Sequence, residues 1–259
     1  MIRSAAHENV LRAAMGIPRL LRHPVWTDTW PDRRGGLGVV LVPGFGSGDV
    51  SLTLIAKWLR SNGCRTAGAH IGLNVGCTGD LVDRVERRLE QHVAVTGDQV
   101  VLLGHSRGGG LARLVAVRRP ELVRGLVMMG SPVLDPLGNP GVLRAARLLA
   151  RLSSAGLPGM LDEDCLTGSC YRENMASLAA PLRVPAIAFF SRRDAIAPWR
   201  SCLDPFAKCV EIRSTHTGMA LDPDLYHALG LCLEQWTASD FTDTGETDEP
   251  NSPAVSRWS

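Results

Sequence analysis

The sequence predicts an α/β fold: a mostly parallel sheet of about six strands with helices on both faces. Three observations lead there. Short Val-rich apolar runs recur along the chain, the mark of strands buried on both faces. Each run is followed by a segment whose apolar residues repeat at helical spacing, and that alternation builds parallel sheets with right-handed crossovers. The 259 residues, 45% apolar and 21% charged, suffice for one large core.

The elements follow in order. Residues 37–42 (LGVVLV) are the first strand, ending in the Gly-rich turn Pro43-Gly44-Phe45-Gly46. Asp49 or Ser51 is expected to cap the next helix, whose apolar face is Leu52, Ile55, Trp58 and Leu59. Residues 65–71 read as a weaker second strand. Thr78 or Asp80 opens a helix through Leu81, Val82, Val85 and Leu89. Residues 99–103 (QVVLL) are the third strand, followed directly by Gly104-His105-Ser106-Arg107-Gly108-Gly109 and a helix through Leu111, Leu114 and Val117. Strands at 123–130, 184–190 and 209–213 and a closing helix over 222–236 complete the rhythm.

Three segments stand outside it. Residues 1–34, broken by Pro18, Pro24 and Pro31, read as an N-terminal arm on the main domain. Residues 132–182 separate two strands by more than one helix needs and predict a cap or lid between the two parts of the core, 35–131 and 183–238. Within it, 142–152 form an amphipathic helix with Arg144, Arg147 and Arg151 on one face and Leu148, Leu149 and Leu152 on the other. That helix either packs over the sheet with its arginines in water or meets an acyl chain or lipid surface. Residues 239–259 are polar and acidic and predict a disordered tail.

Composition excludes several classes. The net charge of +2, without a dense basic cluster interleaved with aromatics, does not suggest nucleic acid. No apolar stretch spans a bilayer, and Glu8, Arg12, Arg19 and Arg22 interrupt any secretion signal. With seven cysteines, an odd number that a reducing compartment would leave as thiols, the expected location is cytoplasmic. Cys165, Cys170, Cys202 and Cys209 lack the tight pairing of zinc sites and have no His among them. No metal and no cofactor are expected.

The chemistry is concentrated in Gly104-His105-Ser106-Arg107-Gly108. A G-x-S-x-G segment between a buried strand and a helix is a nucleophile elbow. The turn forces the serine into a strained backbone conformation and leaves no room for side chains at the glycines. Ser106 then stands above a helix N-terminus, where negative charge is favoured. The backbone N–H groups of Phe45 and Arg107 are the natural pair to hold an oxyanion. Gly44-x-Gly46 is not a dinucleotide fingerprint, because Asp49 stands where its third glycine belongs.

Of the seven histidines, His216 alone occupies a loop between the final strand and the last helix, where the chain order Ser, acid, His puts the base. His7, His23, His92 and His227 lie in the arm or on helices. His70 ends a strand without an assignable acid, and His105 is expected to point away from the cleft. Asp194 follows the fifth strand and is the candidate acid that orients the base. Asp135, after the fourth strand, is the alternative.

Taken together, Pro43-Gly44-Phe45-Gly46, the elbow, Gly130-Ser131-Pro132, Ser191-Arg192-Arg193-Asp194 and His216-Thr217-Gly218-Met219 resemble the α/β-hydrolase superfamily, in particular bacterial lipase- and esterase-like members. The resemblance covers about residues 37–236. Pro43 departs from it, since many relatives carry His there, and two or three N-terminal strands of the full sheet are not evident, which implies an abbreviated sheet. It implies a serine hydrolase with Ser106, Asp194 and His216 as catalytic triad, acting through an acyl-enzyme on a small-molecule acyl ester or lipid-like substrate. A thioesterase, an acyltransferase and a non-catalytic binding protein of the same fold are the alternatives.

Overall fold

A computed structural model describes residues 16–28 and 35–238. The acidic tail expected at 239–259 lies outside these residues, as do 1–15 and 29–34 of the expected arm.

The described residues form a six-stranded sheet of order β2-β1-β3-β4-β5-β6. The strands are β1 (Gly38–Val42), β2 (Arg65–Gly68), β3 (Val100–His105), β4 (Val123–Met129), β5 (Ala186–Phe190) and β6 (Lys208–Glu211). Every pairing is parallel. All five residues of β1 are buried, as its unbroken apolar run requires of a strand covered on both faces.

Helices α1 (Ile17–Leu21) and α2 (Pro24–Thr27) precede the sheet, and α3 (Thr53–Ser61), α4 (Thr78–Thr96) and α5 (Arg107–Arg118) connect its first strands. Between β4 and β5 lie α6 (Pro140–Ser154), α7 (Asp164–Thr167) and α8 (Ser169–Leu178); α9 (Pro223–Ala238) follows β6. Side chains of α4 and α5 share a core with Val40, Leu102 and Met128 on one face of the sheet. Those of α3 and α9 share a core with Val39, Leu103 and Val127 on the other. Leu20 is fully buried in this second core, and the Trp58 indole N–H donates to the Val25 carbonyl at 2.6 Å. No helix among the described residues is long and apolar enough to cross a membrane.

The strand order reverses between β1 and β3, so the crevice at their carboxyl ends is a topological switch point. Register lines those ends up: Val42 lies opposite Gly104, His105 opposite Met129, and Met129 opposite Phe189. The segments that follow β1, β3, β4 and β5 therefore emerge together at one rim.

Several local expectations change. Neither Asp49 nor Ser51 caps α3, which begins at Thr53 behind a 3₁₀ turn over Asp49–Leu52. Asp49 accepts instead from the His70 amide at 3.1 Å, a contact across 21 residues that local propensity does not encode. The helix α4 does open at Thr78, as expected, behind Cys77, which makes no side-chain cap. On α6 the buried positions are Ala146 and Ala150, while Leu148 is 57% exposed beside the exposed Arg144, Arg147 and Arg151. Small residues let the helix approach its neighbours closely, and that decides which face turns inward.

Candidate active site

The elbow begins with Ser106, whose φ of 56° and ψ of −126° lie where L-residues rarely go. Packing holds it there. The Ser106 amide donates to the Met129 carbonyl at 2.8 Å, and its carbonyl accepts from the Gly109 amide at 3.0 Å. A Cβ at Gly104 would stand 2.4 Å from the Gly108 carbonyl oxygen, and one at Gly108 would stand 2.2 Å from that of Val42. One at Gly109 would meet Ser131 Oγ at 2.0 Å, which explains why the Gly-Ser-Pro segment after β4 accompanies the elbow.

Gly44 approaches closely enough that a Cβ there would lie 3.2 Å from Ser106 Cβ, bringing the turn after β1 against Ser106. The Arg107 amide is the first of α5 and has no carbonyl one turn back. Phe45 is bridged in parallel to Asn74. Asn74, fully buried, donates to the Pro43 carbonyl at 2.8 Å and accepts through its own carbonyl from the Gly46 amide at 3.2 Å and the Arg107 guanidinium at 3.1 Å. Asn74 thus braces the turn carrying Phe45. Sequence reading missed it, because a polar residue in a loop gives no local signal of what it braces.

His216 Nδ1 lies 2.7 Å from Asp194 Oδ2, with both side chains nearly inaccessible to water. The other carboxylate oxygen accepts from the Ile196 and Ala197 amides at 2.8 and 2.7 Å. A carboxylate accepts, so His216 Nδ1 is the donor in this contact. Gly130, at φ 56°, keeps the space clear: a Cβ there would stand 3.3 Å from Asp194 Oδ2 and 2.9 Å from Met219 Sδ. Asp135 is exposed in the turn after β4.

The His105 side chain does not stand idle away from the cleft. Its ring centroid is 4.8 Å from that of His216, and its Nε2–H donates to the His216 carbonyl at 3.1 Å. Burial first, and then the neighbouring His216, push the His105 imidazole down to about 3. It is therefore a neutral tie between the elbow and the histidine loop. Of the other histidines, His92 is buried with Nε2 2.8 Å from the Arg65 carbonyl, His23 caps α2, and His70 lies 3.8 Å from Asp49. His7 lies outside the described residues.

Two further groups secure the surroundings. Arg113, on α5, is fully buried against Asp204, Nε to Oδ2 at 2.5 Å, and also donates to the Ser177 and Ala180 carbonyls. Phe45 packs beside an apolar cluster of Ala146, Ala150, Leu161, Cys165 and Leu166, so residues between β4 and β5 cover the turn after β1.

The α/β-hydrolase-fold family model matches residues 42–203. No curated protein matches. Among solved structures, the monoacylglycerol lipase of Paleococcus ferrophilus is similar with a TM-score of 0.55 at 17% identity, over 78% of this chain and 96% of that one. A soluble variant of the monoglyceride lipase from Saccharomyces cerevisiae, in complex with a substrate analog, gives 0.56 at 16% over 81% and 89%. A thioesterase domain from the curacin biosynthetic pathway gives 0.52 at 15% over 80% and 93%. At these identities the likeness is one of fold. With the family model spanning well over half of the sequence, the chain belongs to the α/β-hydrolase family.

Proposed function

We propose that the chain is a serine hydrolase that cleaves a carboxylic ester with an apolar acyl group through an acyl-enzyme intermediate. The observation that carries the proposal is the contact of His216 Nδ1, 2.7 Å from Oδ2 of a buried Asp194 whose other carboxylate oxygen accepts from two backbone amides. Ser106 is the nucleophile. His216 Nε2 takes its proton as Oγ attacks the acyl carbon, and the Phe45 and Arg107 amides donate to the oxyanion. The alcohol leaves with the proton from His216, and water repeats the sequence to release the acid. Each oxyanion donor contributes on the order of 10²–10³ in turnover, about 3–4 kcal/mol.

Residues 132–182 act as the cap in this reading, and the apolar cluster around Phe45 supports an apolar acyl group. A cytoplasmic setting belongs to the same proposal, since all seven cysteines are thiols. The likeness to a thioesterase domain favours a thioester as the second substrate class.

A fluorophosphonate probe should label Ser106 in the full chain and leave Ser106→Ala unlabelled. Ser106→Ala should also abolish hydrolysis across a panel of acyl esters and thioesters of graded length while its circular dichroism is unchanged. Substantial turnover by that folded variant would exclude Ser106 as nucleophile, and preference within the panel assigns the leaving group.

A further inference from the structure

In the apolar cluster that also holds Phe45, the chain gathers three cysteines from two distant segments. Cys77 immediately precedes the 19-residue α4, Cys165 lies on α7 and Cys170 on α8. Cys170 Sγ is 3.8 Å from both Cys77 Sγ and Cys165 Sγ, and all three sulfurs fall within 4.8 Å of one another. Three thiolates bound to one tetrahedral zinc-type ion at about 2.3 Å are separated by about 3.8 Å, the edge of that tetrahedron. The sulfurs therefore already stand near ligand spacing.

The surroundings suit such an ion. Burial pushes the Cys165 and Cys170 thiols up, and the first amides of α4, that of Thr78 at Cys165 and that of Gly79 at Cys170, work against that shift. Asn174 Nδ2 lies 3.3 Å from Cys170 Sγ. The buried guanidinium of Arg107 stands beside Cys77, donating to the Gly76 carbonyl at 2.8 Å and the Thr78 hydroxyl at 3.0 Å. Three thiolates, one divalent cation and one guanidinium sum to zero charge, so a divalent ion leaves no net charge in this half-buried place.

We propose that Cys77, Cys165 and Cys170 bind one divalent thiophilic metal ion of the zinc type, with a solvent molecule as fourth ligand. The ion clips the segment between β4 and β5 to the start of α4.

The test uses the full chain, reduced, freed of metal with a chelator and kept from air. Cobalt(II) should bind one per chain and produce a thiolate-to-cobalt charge-transfer band with the intense visible bands of tetrahedral coordination. One equivalent of zinc should bleach both. Cys77→Ser and Cys170→Ser should each weaken binding by more than about 100-fold, beyond what outer-shell losses cost, while Cys202→Ser binds as the parent does. Should the variants fail to fold, zinc on the parent chain should slow alkylation of the part-buried Cys77 and Cys170 and leave the rate at Cys232 unchanged. No charge-transfer band on the folded chain, bands that survive both substitutions, or no protection by zinc would each overturn the site. So would a Cys77–Cys170 disulfide that forms in air on a chain indifferent to zinc, which makes the cluster a redox pair. Fluorophosphonate labelling of Ser106 in the same samples reads the hydrolase proposal separately.

Discussion

Replacing Asp194 by Asn isolates the orienting role of the carboxylate with little change of shape. Asp194 Oδ1 accepts from two backbone amides, those of Ile196 and Ala197. In the variant those donors hold the amide oxygen, and the NH₂ group is turned toward His216 Nδ1. An NH₂ group only donates, so Nδ1 must become the acceptor and the proton moves to Nε2. The base is then blocked on the atom that should receive the Ser106 proton. Loss of the correct tautomer costs about 10⁴ in kcat, equivalent to about 5.5 kcal/mol. Steady-state hydrolysis of an activated ester measures the loss, and the rate of fluorophosphonate labelling should fall in parallel. Asp135→Asn, in its exposed turn, should stay within a factor of about two, a surface change away from the chemistry. A folded Asp194→Asn enzyme within tenfold of the parent, or a larger loss in Asp135→Asn, would refute the assignment.

Three further outcomes follow from the packing around the site. Because His105 has its folded value lowered to about 3 from 6.5, its contribution to stability is complete above pH 6.5 and is lost as the pH falls toward 3. Denaturant unfolding should therefore show about 1.4 kcal/mol less stability at pH 5.5 than at pH 7.5 from this group, and His105→Gln should remove that share; an unchanged difference would contradict it. Asp204→Ala should cost about 3–5 kcal/mol by leaving the buried Arg113 unpaired, with much of the loss recovered in Arg113→Met combined with Asp204→Leu; a cost under about 1 kcal/mol, the scale of an exposed pair, would show the pair is not buried in solution. Gly108→Ala forces a Cβ against Val42 and Pro43 and should lower turnover by ~10²–10³ by parting the Phe45 and Arg107 amides, whereas Gly110→Ala, with nothing within 4 Å of its Cβ, should keep full activity; equal activity in the two would remove the elbow argument.

The strands and the elbow were legible because their signals are local. A run such as Val39 to Val42 reads as buried wherever it lies, and strand, tight turn and helix around Ser106 are contiguous in the chain. The placement of Asp194 and His216 was legible at one remove, since strand order in a parallel sheet decides which loops reach the same rim. The face of α6 was not: Leu148 has the more apolar side chain, yet Ala146 and Ala150 are buried, because close approach of helices is a property of the partner surface.

By itself, then, the sequence determined the alternation of elements, the strained serine turn and the loops that bear Asp194 and His216. Only the tertiary structure decided which polar groups meet across long separations. Arg113 finds Asp204 across 91 residues, Asn74 braces Pro43, and His105 reaches the His216 carbonyl. Cys165 and Cys170 are joined by Cys77 rather than by Cys202 and Cys209. The physical reason is that periodicity and turn chemistry act over a few neighbouring residues, whereas the satisfaction of buried donors, acceptors and thiols depends on chain segments that meet only once the sheet has formed.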